Sequence, residues 1–162
     1  MLNDKPSGHK IGLGAVVTGA AGGAVAILLM EELSTRAAFP LIFVPFATSI
    51  VLIMGSPDTE AAQPRALIGG HLLATLVGLL VVRISGPGPL PAAFAVGLAM
   101  VAMHLTRSFH PPAGIDPLVV VANDMPWSFL LAPVAIGVCM LAAMAFIWHN
   151  FFRRRSWPAR WW

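Results

Sequence analysis

The sequence predicts an all-α membrane protein with four full spans, two proline-broken segments and both termini on the cytoplasmic side. Three observations carry that prediction. Of 162 residues, 57% are hydrophobic and only 10% are charged, where a soluble domain carries roughly a quarter charged positions. No Asp, Glu, Lys or Arg occurs between Lys10 and Glu31, Arg36 and Asp58, Arg65 and Arg83, Arg83 and Arg107, or Asp124 and Arg153. Charge-free runs repeated in this way are what crossing a hydrocarbon layer of ~30 Å demands. Prolines also interrupt two of the apolar stretches, one in each half of the chain.

The first stretch, Ile11 to Met30, has about the 20 residues a span needs. It is too long for a secretory leader's apolar core of about 7 to 15 residues, and Glu31-Glu32-Leu33 is a poor cleavage site. Segment two, Ala37 to Met54, contains Pro40 and Pro45, each of which removes a backbone donor and disfavours helix just before it. Regular helix is therefore expected only from Phe46 to Met54, about half a membrane. Segments three (Ala66 to Val82) and four (Leu90 to Thr106) are short spans separated by Gly86-Pro87-Gly88-Pro89. Segment five is broken by His110-Pro111-Pro112 and its apolar run ends at Ala122, while segment six, Trp127 to Asn150, reads as a full span. The chain thus divides into a cytoplasmic N-terminal segment (1–10), one transmembrane domain (11–150) and a basic, Trp-rich cytoplasmic tail (151–162).

Segments one to three and four to six share one outline: a span, a proline-broken half-helix and another span. Three crossings per unit give the two units opposite orientations, as in a 3+3 inverted repeat. Basic residues near span ends stay on the cytoplasmic side. Six crossings place Lys5, Lys10, Arg65, Arg107 and the tail's Arg153, Arg154, Arg155 and Arg160 inside, with Arg36 and Arg83 outside. Four crossings, with segments two and five re-entrant, move Arg65 and Arg107 outside and weaken the bias. Both arrangements stay open, and both fit a multi-pass protein of the inner (plasma) membrane.

The net charge of +3 is no sign of nucleic-acid binding, because four arginines in the last ten residues account for it. A lone cysteine, Cys139, excludes a disulfide framework. His71, His104 and His110 lack paired metal-ligand spacing, so no metal or cofactor is expected. No phosphate loop, nucleophile elbow or convergent acid–base pair argues for an enzyme.

Irregular backbone at membrane depth survives only where protein buries it or water solvates it. Segments two and five are therefore the expected pathway, with half-helix N-termini near Phe46 and Ala113 meeting at mid-bilayer. Each N-terminus carries about half a positive charge, which suits a small anion. Two kinked helices packed for shape alone are the alternative.

Ser108-Phe109-His110-Pro111-Pro112-Ala113-Gly114, together with Ala61-Ala62-Gln63-Pro64-Arg65, Gly69-Gly70-His71 and Pro45-Phe46-Ala47-Thr48-Ser49, resembles the HPP family of integral membrane proteins. The resemblance implies a small multi-pass transport protein of about four spans, with nitrite as the anion, since some chloroplast and cyanobacterial members are regarded as nitrite transporters. This chain departs from the family pattern at Ala47, at Ala66 and at Ile115-Asp116-Pro117, where small residues and Thr follow the motif elsewhere.

Asp116 has two readings. Followed by Pro117, it has the order of an N-cap and an N1 proline. As a membrane carboxylate it is also a functional candidate, one that must be protonated, or neutralised by Arg107 or a His, when an anion enters. Arg65 and Arg107 are either positive-inside anchors or attractors in a vestibule. His71 shares a helix face with Thr75, and His104 with Arg107 and Ser108; each histidine can bind an anion, shuttle a proton or simply bond between helices. His110 can satisfy backbone opened by the prolines or act as a ligand.

Gly19-x3-Gly23 and the stripe of Gly70, Ala74 and Gly78 read as close helix packing. Trp157, Trp161 and Trp162 among arginines read as an anchor for anionic lipid. A single copy has little protein to shield its broken helices, so a homo-oligomer is expected. The competing class is a non-transporting membrane assembly or accessory protein.

Overall fold

The computed structural model describes residues 12–36 and 44–161. Among them every regular element is helical: α1 (Leu13–Arg36), α2 (Val44–Gly55), α3 (Pro64–Ser85), α4 (Pro89–Leu105), α5 (Asp116–Ala122) and α6 (Ile136–Ile147). Short 3₁₀ turns, Glu60–Ala62 and Pro111–Ile115, precede α3 and α5, and π-helical turns, Leu130–Ala135 and Trp148–Phe152, flank α6. Three helical runs are long and apolar enough to cross a membrane: Leu13–Arg36, Pro64–Ser85 and Leu130–Phe152. The expected fourth span is shorter: α4 has 17 residues, about 26 Å at 1.5 Å per residue. The extended part of segment two and the first ten residues lie outside the described residues.

Proline sets where helices begin. Pro64 and Pro89 occupy first-turn positions of α3 and α4, where a missing N–H costs nothing. Gly86, at φ 74°, ends α3, and Arg107, at φ 54°, turns the chain after α4. The turn is closed by Arg107 N–H to His104 O (3.1 Å) and Ser108 N–H to Met103 O (2.9 Å). It removes Arg107 and Ser108 from any helix face shared with His104, contrary to the i, i+3 reading.

Segment six is not a straight span. Ala132 has strand-like dihedrals (φ −135°, ψ 115°) within the run, directly before Pro133, because Pro133 has no N–H to donate and its ring disfavours helical dihedrals in the residue before it.

Two apolar clusters fill the interior. One joins Ala74, Leu79, Ala95, Met103, Val120 and Val134 from α3, α4, α5 and the start of segment six. The other joins Ala26, Phe46, Ile53, Leu67, Leu141 and Ala145 from α1, α2, α3 and α6. Small residues allow the close approaches: a Cβ on Gly78 would lie 2.8 Å from Pro117 Cα, and one on Gly70 2.7 Å from His110 Cβ. Much of the rest of the apolar surface faces outward, including Leu28, Leu80, Phe94, Leu105, Leu131 and Phe151, the distribution expected of a surface solvated by lipid.

Contacts define the two ends. Arg153 donates to Met54 O and Ala15 O (3.1 Å each), Arg155 pairs with Asp58, and Arg65 donates to Thr106 O (2.7 Å). Arg83 lies at the opposite end, donating to Met125 O (3.0 Å) near Asp124. The tail is folded onto the body. Trp157 is buried, its ring 5.9 Å from that of His149 and its carbonyl bonded by Asn150. It therefore cannot serve as the lipid anchor its arginine-rich neighbourhood suggests, whereas Trp161 is exposed.

A buried polar cluster as candidate functional site

Segments two and five meet through their first turns. Ser49, one turn after Pro45 in α2, places its hydroxyl 2.8 Å from His71 Nε2 of α3 and 2.8 Å from His110 Nε2, just ahead of the Pro111–Ile115 turn. The same hydroxyl lies 2.8 Å from Pro45 O. His71 Nδ1 lies 2.7 Å from Asp116 Oδ2, and His110 Nδ1–H donates to Ala61 O across 2.6 Å. Ser49, His71 and His110 are 0% exposed and Asp116 4%. Phe46 packs edge-on against His71 at 5.1 Å between ring centroids, and the two imidazoles are 5.0 Å apart. Thr75 Oγ1 is buried one turn after His71.

The local sequence explains the convergence. Pro45 lies in the first turn of α2, and Ser49, one turn on, is buried. Pro111 and Pro112 keep His110 extended (φ −126°, ψ 100°), so its ring reaches sideways to neighbouring elements. Its bonds go to Ala61 and Ser49 instead of to its own proline-broken backbone. Gly70 leaves room for His110 and Ser108 against α3.

Asp116 is not an N-cap. It and Ile115 have right-handed helical dihedrals, and no side-chain capping bond forms, whereas an N-cap requires extended backbone. Its carboxylate turns to His71 instead. Burying a carboxylate is tolerable only when it is paired and hydrogen-bonded, and the imidazole 45 residues earlier supplies that pairing.

Beyond Ala61 the surface opens into a cleft of about 690 Å³, lined by Ala61, Arg65, His104, Arg107, Phe109 and Arg160 with Glu60 and Gln63 beside them. His104 stacks on Phe109 at 4.1 Å between centroids, and Arg160 lies 3.8 Å from Glu60. Three guanidinium groups thus sit in one concavity next to the carbonyl that His110 holds.

The sequence-predicted residues therefore separate into two groups. Phe46, Ser49, His71, His110, Pro112, Ala113 and Asp116 are buried in or beside the cluster, while Arg65, His104 and Arg107 line the cleft. Ala47 and Gly114 are half-buried, and Thr48 and Pro111 face outward. Sequence reasoning missed Ala61 and Arg160. The Ala61-Ala62-Gln63-Pro64-Arg65 motif was the available signal for the first, and nothing local marks the second. Among the described residues no group of three or more His, Cys, Asp or Glu is arranged to hold a metal ion.

Comparison with known proteins bears on the whole domain. Two transmembrane proteins of Dictyostelium discoideum are 38% and 36% identical to the chain over 125 residues, in each case 72% of this chain, but 40% and 44% of their own lengths. The chain thus spans less than half of those relatives. No solved structure matches. The family model for the HPP transmembrane region matches residues 9–158. A match of that extent shows that the chain belongs to the HPP family of membrane proteins.

Proposed function

We propose that the chain is a multi-pass transporter or channel for a small monovalent anion, with nitrite the first candidate on family resemblance. The observation that carries this reading is the buried Asp116–His71–Ser49–His110 cluster, one carbonyl away from a cleft lined by Arg65, Arg107 and Arg160. Ionisable groups at membrane depth are expensive and mark substrate or proton pathways. A helix interface serving shape alone gains more from apolar side chains of the same volume, since a buried ion pair seldom repays its desolvation.

The anion reading needs the charge of Asp116 offset, and a protonated imidazole of the cluster, on His71 or His110, supplies that. The cationic cleft raises local anion concentration at its mouth. The pathway then runs between the first turns of α2 and segment five, past side chains of the cluster and not past bare helix amides. In the described conformation the cluster is closed, and the proline-broken turn Pro111–Ile115 is the element whose movement opens it.

The end carrying Arg65, Arg107 and the tail is assigned to the cytoplasm by the positive-inside rule. That gives six passages, both termini inside and location in the inner membrane. The neighbour pattern supports a 3+3 arrangement, since α1 packs on α2 as α4 does on α5, and each short helix packs on the last helix of the other half, α2 on α6 and α5 on α3. A homo-oligomer would shield the short helices from lipid, and a monomer by light scattering that retains flux would defeat that part.

Purified protein in liposomes, assayed for nitrite, nitrate, formate and chloride flux, tests the reading. Saturable flux above that of protein-free liposomes supports it. Absence of flux for all four favours a non-transporting assembly, in which the cluster only fixes helix register.

A further inference from the structure

The geometry of the cluster constrains how many protons it holds. His110 Nδ1 lies 2.6 Å from Ala61 O, and a carbonyl only accepts, so that nitrogen carries hydrogen. One proton likewise lies between His71 Nδ1 and Asp116 Oδ2, 2.7 Å apart. The remaining atoms are the two Nε2 nitrogens, each 2.8 Å from Ser49 Oγ, and a hydroxyl has one hydrogen to give, for which Pro45 O, also at 2.8 Å, is the third acceptor.

With no hydrogen on either Nε2, Ser49 can donate to only one of them, and the other faces a hydroxyl lone pair in a buried site. With hydrogen on both, Ser49 accepts twice and gives its own hydrogen to Pro45 O, but the cluster then confines two cationic imidazoles 5.0 Å apart with a single carboxylate, and the net positive charge in an apolar interior rules against it. With hydrogen on one, that nitrogen donates to Ser49, Ser49 donates to the other, and every ring nitrogen is satisfied. The arrangement reads equally well in both directions. The groups that face one another in the array are Asp116 of α5 and His71 of α3, and His71 and His110; from α2 come the hydroxyl of Ser49 and the ring of Phe46.

We propose that Asp116, His71, Ser49 and His110 form a proton relay in which two Nε2 atoms share a single proton through the Ser49 hydroxyl. In one transfer the His71 Nε2–H bond breaks as a new Ser49 O–H forms, while the old Ser49 O–H bond breaks as His110 Nε2–H forms. No electrons are exchanged, and one unit of positive charge moves from the Asp116–His71 pair to His110, beside the cleft wall at Ala61. Resting on the transport reading above, the relay makes anion passage proton-linked: an anion entering from the cleft meets the charge on His110 and is accompanied by a proton.

Two measurements on the full chain test this separately. Nitrogen-15 spectra of histidine-labelled protein in bilayers report the hydrogen on each Nε2. Occupancies of His71 and His110 summing to one at neutral pH are expected, and a sum near zero or near two overturns the relay whether or not the protein transports anything. In liposomes with nitrite flux, a nitrite gradient should move protons above the protein-free rate, and Ser49→Ala should cut that movement by at least about tenfold. Nitrite flux without proton movement overturns the coupling. Liposomes without any anion flux count against the transport reading, and the spectra still decide the proton count.

Discussion

Replacing Asp116 distinguishes a buried partner from a helix cap by magnitude alone. Its carboxylate is 4% exposed and bonded to His71 Nδ1 at 2.7 Å. A charge-assisted bond contributes about 1.5–3 kcal/mol and a neutral one about 0.5–1.5. Asp116→Asn keeps an acceptor for His71 and loses the charge, so it should cost about 1–2 kcal/mol. Asp116→Ala removes the partner altogether, and breaking a buried pair from one side costs roughly 3–5 kcal/mol. The Ala variant should therefore fall about 2 kcal/mol below the Asn variant. A cap predicts a different pattern, with Asn equal to Asp and Ala down by about 1 kcal/mol. Unfolding of the purified protein by SDS titration in mixed micelles measures both. An Asn variant as stable as wild type beside an Ala variant only about 1 kcal/mol weaker would refute the pairing.

Further expectations concern the close approaches and the tail. Gly78→Ala places a Cβ 2.8 Å from Pro117 Cα and 3.1 Å from Val120 Cβ, an overpacking worth about 1–3 kcal/mol of destabilisation. Gly97→Ala, in α4 with nothing within 4 Å, should gain up to about 1 kcal/mol from helix propensity, so equal effects in the same unfolding assay would contradict the packing. Gly70→Ala pushes against His110 Cβ at 2.7 Å and Ser108 O at 2.9 Å and should lower nitrite flux severalfold, while Gly97→Ala leaves it unchanged. Gln63 holds the tail through Ala159 N–H to Gln63 Oε1 (2.9 Å) and is itself fixed by its bond to Pro57 O (2.8 Å). Gln63→Ala should therefore speed tryptic cleavage at Arg155 and Arg160, and an unchanged cleavage rate would show the tail to be held by other contacts.

The order of helices and the two proline breaks were legible because both follow from local chemistry: apolar runs long enough to cross, and residues that cannot donate. The i, i+4 spacing also placed His71 and Thr75 on one face. Partnership across the chain was not legible. The Asp116-Pro117 order is that of a cap, and only the fold brings His71 opposite it, 45 residues earlier. Ser49 and His110 were both marked by their breaks, yet the bridge between them, and the role of Ala61 O, depend on how α2 sits against the Pro111–Ile115 turn. The i, i+3 spacing puts His104 and Arg107 on one face only if the helix continues past Leu105, where α4 ends and Arg107 adopts positive φ. Pro133 lay in plain view in segment six, and its effect on Ala132 follows from the same rule applied to Pro45. Around Trp157, composition reports the arginine neighbours and not the Asn150 and His149 contacts that bury it.

On the proposed pathway, anions pass from the cationic cleft through the buried cluster. Ala61 stands at that junction, its carbonyl bonded to His110 and the residue itself in the cleft wall. The most direct measurement is nitrite flux in liposomes for Ala61→Cys, made with the exposed Cys139 replaced by Ala, before and after labelling with a bulky methanethiosulfonate. Labelling is expected to bring flux down to the protein-free level, and nitrite to slow the labelling; complete labelling with undiminished flux would rule this pathway out.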